Sequence, residues 1–340
     1  MHDPILFERQ NQYGLITLNR QEALNALSLD MIQALKKQLV EWEKEEAVKA
    51  VIIRAAEGRV FCAGGDVRWL YQAGKDKNPQ LMAFFEQEYH LNKIIHDYSK
   101  PYIALMNGLT VGGGVGISLH GSHTVASERF AFAMPETSIG FFPDIGGSYL
   151  LSKCPGAVGF YLGLTGNRLS AMESLACGLV NAVVSSDTLD SLLQALLATN
   201  LTEKAHQEIS QCIAGFAQSG DQHVLPTLQG HVDTVFSLDT VESMVEALAC
   251  NEDDWSKKTA QILLSKSPTS LKVTHLQLQK ARSLSFDDCM AMDARLVRYF
   301  MAGHDFYEGV RALLIDKDNK PQWKPESLAD IRAEAIAQYF

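Results

Sequence analysis

Two near-continuous apolar runs, residues 48–55 (VKAVIIRA) and 101–106 (PYIALM), set the strongest limit on the fold. Runs without polar alternation suit strands buried on both faces, as in a parallel sheet covered by helices on each side. Helical patterns separate them. Over residues 28–45 the apolar side chains Leu29, Ile32, Leu35, Leu39 and Trp42 follow helical spacing, and Ser28 stands where an N-cap belongs. A second long helix is expected over 80–98. Further short strands are expected at 15–18, 124–126, 130–133 and 182–184. Ser170 and Glu173 carry a capping-box signature that opens a helix to Cys177, with Gly178 at C′. Strands separated by helices make the class α/β.

From about Leu201 the strand signals fade. Helices are expected over 202–216, 239–249, 268–282, 285–302 and 305–314, with Asp239/Glu242 and Ser285/Asp288 as caps. Residues 217–230 are polar and irregular and read as a linker or loop. The chain has 340 residues, against roughly 150 per domain. It is therefore read as a core over 1–201 followed by a helical region over 202–340.

Lys plus Arg number 30 and Asp plus Glu 40, a net charge of −10. Such a balance disfavours nucleic acid or an anionic membrane as main partner, since both reward a basic surface. Cys62, Cys154, Cys177, Cys212, Cys250 and Cys289 stand singly, without a C-x-x-C pair, and read as reduced, buried thiols. The opening MHDPILFERQ has neither a secretory nor a transit pattern. The most apolar stretch, 101–119, is broken by Asn107 and five glycines, which argues against a membrane span. A soluble, cytoplasmic protein is expected.

The sequence has no G-x-S-x-G nucleophile elbow, no G-x-x-x-x-G-K-S/T phosphate loop and no H-E-x-x-H. His120 and His123 have helical spacing but no acidic or cysteine companion, so a surface or core role is preferred to metal binding. Three other elements offer chemistry. Residues 107–116 (NGLTVGGGVG) follow a buried strand, and their glycines leave backbone N–H groups open to a ligand; a tightly packed turn is the competing reading. Residues 59–66 (RVFCAGGD) supply a second such turn, and two are what a two-donor oxyanion hole needs. Residues 132–147 hold Glu136 and Asp144 among Phe, Met and Ile, surroundings that desolvate a carboxylate and suit a general acid or base. Either acid, Asp144 in particular, could instead cap a turn. Glu88 falls on the apolar stripe of the 80–98 helix with Phe84, Phe85 and Leu91; such a carboxylate is either ion-paired or lines a pocket.

Taken together, LNRQEALNAL, FCAGGD, NGLTVGGGVG and AMPETSIGFFPDIGG resemble the crotonase (enoyl-CoA hydratase/isomerase) superfamily over roughly residues 5–200. The resemblance implies a spiral of ββα turns followed by a mainly helical C-terminal region. It implies an acyl-CoA thioester as ligand, with its carbonyl oxygen on the N–H groups of Gly65 and Gly113. The runs SPTSLKVT (267–274) and DFYEGVRALLIDKDNKPQWKP (305–325) are similar to the branch that hydrolyses 3-hydroxyisobutyryl-CoA to 3-hydroxyisobutyrate and CoA, a step of valine breakdown. In that branch the acid pair falls on Glu136 and Asp144 and the substrate-pocket glutamate on Glu88. Hydratases carry a further glutamate where this chain has Gly116, which weakens a hydration reading.

On this resemblance Glu136 attacks the thioester or activates water, Asp144 orients water or handles the thiolate proton, and Glu88 accepts a hydrogen bond from the substrate hydroxyl. No metal or redox cofactor is implied, and coenzyme A enters only as part of the substrate. The rival readings are an enoyl-CoA isomerase working through Glu136 alone and a non-catalytic acyl-CoA binder. Relatives are often trimers or hexamers, so a homo-oligomer is a further expectation. Arg68 lies near the loop expected to meet CoA phosphates, although a solvated arginine is the simpler reading.

Overall fold

Ten strands form two sheets in the computed structural model, which describes residues 3–218 and 226–340. In chain order they are β1 (Ile5–Gln10), β2 (Tyr13–Leu18), β3 (Ala50–Ala55), β4 (Val60–Cys62), β5 (Tyr102–Met106), β6 (Leu109–Val111), β7 (His123–Ser127), β8 (Ala131–Ala133), β9 (Leu169–Ser170) and β10 (Ala182–Val184). The larger sheet has the order β1-β2-β3-β5-β7-β10 and the smaller β4-β6-β8-β9. Within the larger sheet β1 and β2 are antiparallel and the remaining neighbours parallel, in registers such as Ile16 to Ile53 and Val51 to Tyr102. The chain places one strand in each sheet per turn: β3 then β4, β5 then β6, β7 then β8. That is a spiral of ββα turns, and the class is α/β.

The chain divides into two compact units, each assembled from three segments. The first is Met1–Gly65, Gln87–Phe132 and Leu169–Val224; the second is Asp66–Glu86, Ala133–Arg168 and Leu225–Phe340. The boundary expected after residue 201 falls inside the third segment of the first unit.

The apolar runs behave in the first unit as their composition dictates. Ala50 and Ile52 of β3, Ile103 and Leu105 of β5 and Val125 of β7 form one buried layer. Onto it pack Leu189, Leu192, Leu193, Leu196 and Leu197 of helix Leu189–Ala198, with Ile209 and Ile213 of helix Ala205–Ala214. Spacings of three and four residues put those leucines on one face. Ser28 caps helix Leu29–Lys44 by accepting from Met31 N–H, and the Ser170/Glu173 capping box is formed.

In the second unit the central element is helix Val158–Thr165, buried along its whole length. Gly163 lets helix Pro268–Ala281 approach; a Cβ there would lie 3.0 Å from Leu278 Cδ1. Several expectations need correction. Strand β1 (Ile5–Gln10) lies where no strand was expected. Helices Val67–Lys75 and Asp254–Ser265 lie where none was expected. Thr240, not Asp239, caps helix Val241–Ala249, because its side chain reaches Ser243 N–H. Helix Asp305–Val310 passes into a π turn, Arg311–Ile315, rather than continuing regularly. Of the linker expected over 217–230, residues 219–225 lie outside the described residues, and residues 226–230 belong to helix Pro226–Phe236. His120 and His123 do not share a helix: His123 begins β7, its ring buried beside His206 and Ser210. Among the described residues no helix is long and apolar enough to cross a membrane.

Candidate active site

In the first unit, two glycine turns face each other. The first leaves β4 through Ala63, Gly64 and Gly65. Gly64 sits at φ +95°, backbone that a side chain rarely tolerates. Its carbonyl accepts from Leu27 N–H at 2.8 Å, and Ala63 N–H donates to the Leu24 carbonyl at 3.0 Å. The segment that pins the turn is itself pinned by Asn25. This fully buried amide accepts from Arg20 N–H at 2.9 Å and donates to the Phe61 carbonyl at 2.9 Å. The second asparagine of LNRQEALNAL thus ties that loop to β4, a role the sequence left unassigned.

The second turn leaves β6 through Gly112, at φ 50°, into the single helical turn Gly113–Gly116. A Cβ on Gly114 would lie 2.8 Å from Cys62 Cβ, so this turn rests directly on β4. A Cβ on Gly64 would lie 3.4 Å from Gly113 N, and one on Gly113 would lie 3.2 Å from Gly65 N. Among the described residues, neither Gly65 N–H nor Gly113 N–H has a hydrogen-bond acceptor. Two backbone donors on adjoining turns are the raw material of an oxyanion hole.

Glu88, in helix Gln80–His96, is 3% exposed. Its Oε1 occupies the place a Cβ on Gly113 would need. Its charge adds to the effect of burial on Cys62, whose thiol is pushed up to about 12. One helical turn on, Asn92 is fully buried, and its Nδ2 lies 2.6 Å from where a Cβ on Gly116 would stand. Any side chain at position 116 would collide with this amide.

In the second unit, Glu136 opens the short turn Glu136–Ile139 and is 7% exposed. The turn is closed by Gly140 at φ 68°, where a Cβ would run into the Asp305 carbonyl. Asp305 is fixed in turn by Ser267 Oγ at 2.6 Å and Lys324 N–H at 2.8 Å. Thr137 Oγ1 donates to the Leu164 carbonyl at 3.1 Å, and Lys266 Nζ donates to Ser138 Oγ at 2.6 Å. Burial of Lys266 pulls its ammonium down to about 8. Next to the turn, Phe141 stacks on Phe85 at 5.9 Å and meets Phe300 and Phe306 edge-on at 5.5 Å each. Asp144, 6% exposed, lies on the following turn, whose Gly147 N–H donates to the Asp144 carbonyl at 2.7 Å.

The structure thus gathers Gly65, Gly113 and Glu88 into one wall of the first unit and places Glu136 and Asp144 on successive turns of the second. Arg68 is exposed. A separate cleft of about 730 Å³ in the first unit has Arg54, Arg59 and Arg129 in its lining, balanced by Glu57, Asp187 and Asp190; it does not include the glycine wall.

A family model described as enoyl-CoA hydratase/isomerase matches residues 13–340. The chain is 42% identical to a zebrafish (Danio rerio) protein named 3-hydroxyisobutyryl-CoA hydrolase, mitochondrial, over 99% of this chain and 89% of that one. It is 40% identical to a human (Homo sapiens) protein of the same name over 99% and 88%. Among solved structures it resembles a carnitinyl-CoA dehydratase from Mycobacterium thermoresistibile, with a TM-score of 0.93, 33% identity and 100% and 96% coverage. It also resembles an enoyl-CoA hydratase from Rhodobacter sphaeroides 2.4.1, with 0.91, 31%, and 99% and 97%. The cytoplasmic location expected from the sequence is corrected by the relatives' names, which point to the mitochondrion. Single thiols and an acidic balance suit every reducing compartment and do not discriminate among them.

Proposed function

The chain belongs to the enoyl-CoA hydratase/isomerase family, and on that premise we propose that it hydrolyses a short-chain 3-hydroxyacyl-CoA thioester, 3-hydroxyisobutyryl-CoA above all. The fold alone does not choose the reaction, since the similar solved structures bear hydratase and dehydratase names while the similar sequences bear a hydrolase name. The observation that carries the choice is at Gly116. Addition of water across a double bond is served by two acid–base groups, and position 116, where the hydratase pattern has one of them, is here a glycine packed against the Asn92 amide. The reading is supported by the two buried carboxylates Glu136 and Asp144, to which the hydrolase resemblance gives the catalytic roles. With 3-hydroxyisobutyryl-CoA as substrate the reaction belongs to valine breakdown.

Gly65 and Gly113 N–H groups receive the thioester oxygen and strengthen their hold as it gains negative charge. Glu136 then acts by one of two routes. As nucleophile it adds to the carbonyl carbon, the C–S bond breaks, CoA leaves as thiolate and water opens the resulting anhydride. As general base it takes a proton from the water that attacks the same carbon. Asp144 orients the water and passes a proton towards the thiolate. Glu88 accepts a hydrogen bond from the substrate hydroxyl; a buried acceptor left without that partner disfavours acyl groups lacking it.

The test is thiol release from a panel of CoA esters with and without a β-hydroxyl, alongside optical detection of enoyl-CoA formation or loss. Preferred thiol release from hydroxylated esters supports the reading. A double-bond shift or hydration without thiol release would favour the isomerase or hydratase alternatives, and tight binding without turnover the non-catalytic one.

A further inference from the structure

The turn that carries Asp144 contains two successive residues in left-handed backbone, Ile145 at φ 54° and Gly146 at φ 72°. Glycine enters that region freely. A β-branched isoleucine does so only where its surroundings impose it. Here two polar side chains grip the turn, both fully buried: Asp293 of helix Phe286–Ala302 and Gln277 of helix Pro268–Ala281. Asp293 Oδ2 accepts from Gly146 N–H at 2.9 Å. Gln277 Nε2 donates to the Pro143 carbonyl at 2.9 Å and to Asp293 Oδ1 at 2.8 Å. The turn is therefore held one residue before Asp144 and two residues after it, by side chains that are also bonded to each other.

Such an arrangement is a poor way to gain stability. Burial pushes Asp293 far above the usual carboxylate range, and the charge of Asp144 raises it further. Apolar side chains of the same volume would avoid that desolvation. They could not supply an acceptor for Gly146 N–H or a donor for the Pro143 carbonyl, the two bonds by which the helices hold the strained turn. Anchoring from two long helices also fixes the turn more closely than loop contacts would.

We propose that Asp293 and Gln277 are positioning residues for Asp144: they hold the 143–146 turn so that the Asp144 carboxylate keeps the orientation hydrolysis requires. The inference rests on the role given to Asp144 above. Its test is a double-mutant cycle on thiol release from 3-hydroxyisobutyryl-CoA. Asp293→Asn replaces one acceptor oxygen by an amino group facing an N–H donor. Gln277→Met keeps the length and removes the donor. Each should lower kcat roughly 10- to 100-fold, as misplacement of a reacting group does, with KM within about threefold of wild type. In an Asp144→Asn background, Gln277→Met should lower kcat by less than about threefold more, because the group it positions is already gone. Tyr98→Phe, which removes a buried hydrogen bond to the Leu39 carbonyl in the first unit, should lower Tm and leave kcat unchanged. If Asp293→Asn does not fold, Gln277→Met carries the test, since it leaves the Gly146–Asp293 bond in place. Variants that lose Tm but keep kcat within twofold, effects that multiply independently of Asp144, or failure of both single variants to fold would each reduce the pair to a structural role. A wild-type protein that releases no thiol from any hydroxylated ester would instead overturn the hydrolase reading, and with it the reaction this turn is said to serve.

Discussion

Replacing Gly113 by alanine puts one methyl group into the space where the thioester oxygen is expected. Gly113 is the first residue of its helical turn and does not use left-handed backbone, so alanine suits the local conformation. It also gains up to about 1 kcal/mol in helix propensity. The new Cβ would stand 3.2 Å from Gly65 N and 3.2 Å from Leu27 Cδ1, and would force the Glu88 carboxylate aside. The first two contacts are relieved by shifts of a few tenths of an ångström; the Glu88 carboxylate must move further, which sets the cost in stability at about 1–3 kcal/mol. Catalysis should suffer far more. An oxyanion needs to lie about 2.7–3.1 Å from its donors, and a methyl at 3.2 Å from Gly65 N claims the same volume. Alanine keeps its own N–H, but a methyl that holds the oxygen away from Gly65 N–H forfeits that donor contact, and loss of one donor lowers turnover by about 10²- to 10³-fold, or ~2.7–4 kcal/mol. The assay is thiol release from 3-hydroxyisobutyryl-CoA, giving kcat and KM, with Tm and circular dichroism as folding controls. A well-folded Gly113→Ala protein with kcat within threefold of wild type would refute the two-donor wall.

Three further outcomes are expected. Glu88→Ala should lower kcat/KM for 3-hydroxyisobutyryl-CoA by roughly 1.5–3 kcal/mol more than for isobutyryl-CoA, the worth of a hydrogen bond to a charged group; equal losses on both esters would remove Glu88 from substrate recognition. Asp144→Asn should strongly reduce turnover with Tm nearly unchanged, whereas a residue that only caps a turn would accept asparagine with activity intact. Lys266 is held below its ordinary value, at about 8. Between pH 8 and 10 the unfolded chain therefore binds the proton that the folded chain has released. This group's contribution to stability rises through that window, by at most roughly 3 kcal/mol. Denaturant titrations should show Lys266→Met without that rise; parallel pH curves for the two proteins would exclude it.

Much of the first unit was legible because its signals are local. Residues 48–55 and 101–106 needed only their unbroken apolar character, and Ser28 and Ser170 announced their helices through side chains that reach their own N-termini, as Ser285 does in the second unit. Strand β1 was missed because ILFERQ lies at a sheet edge with only Ile5 buried, so its composition resembles a loop. Helix Asp254–Ser265 was missed for a related reason: Ser256 and Thr259 share its buried face with Ala260 and Leu263, which dilutes the apolar stripe. Glu88 stood out because a carboxylate interrupted an apolar face. The same signal was present at Asp293, three residues from both Met290 and Leu296, and its contacts to the Asp144 turn became visible only when residues 147 positions apart were brought together. Asn92 against Gly116 is likewise a contact between helices that spacing along the chain does not reveal.

The central claim is that Glu136 performs the chemistry of thioester cleavage, and Glu136→Gln tests it most directly. The substitution preserves size and hydrogen-bonding reach but removes both the nucleophile and the base. Steady-state thiol release from 3-hydroxyisobutyryl-CoA should be measured beside calorimetric binding of the same ester. The expected result is turnover nearly abolished with affinity largely intact. Turnover within tenfold of wild type in a folded, ester-binding protein would contradict the account.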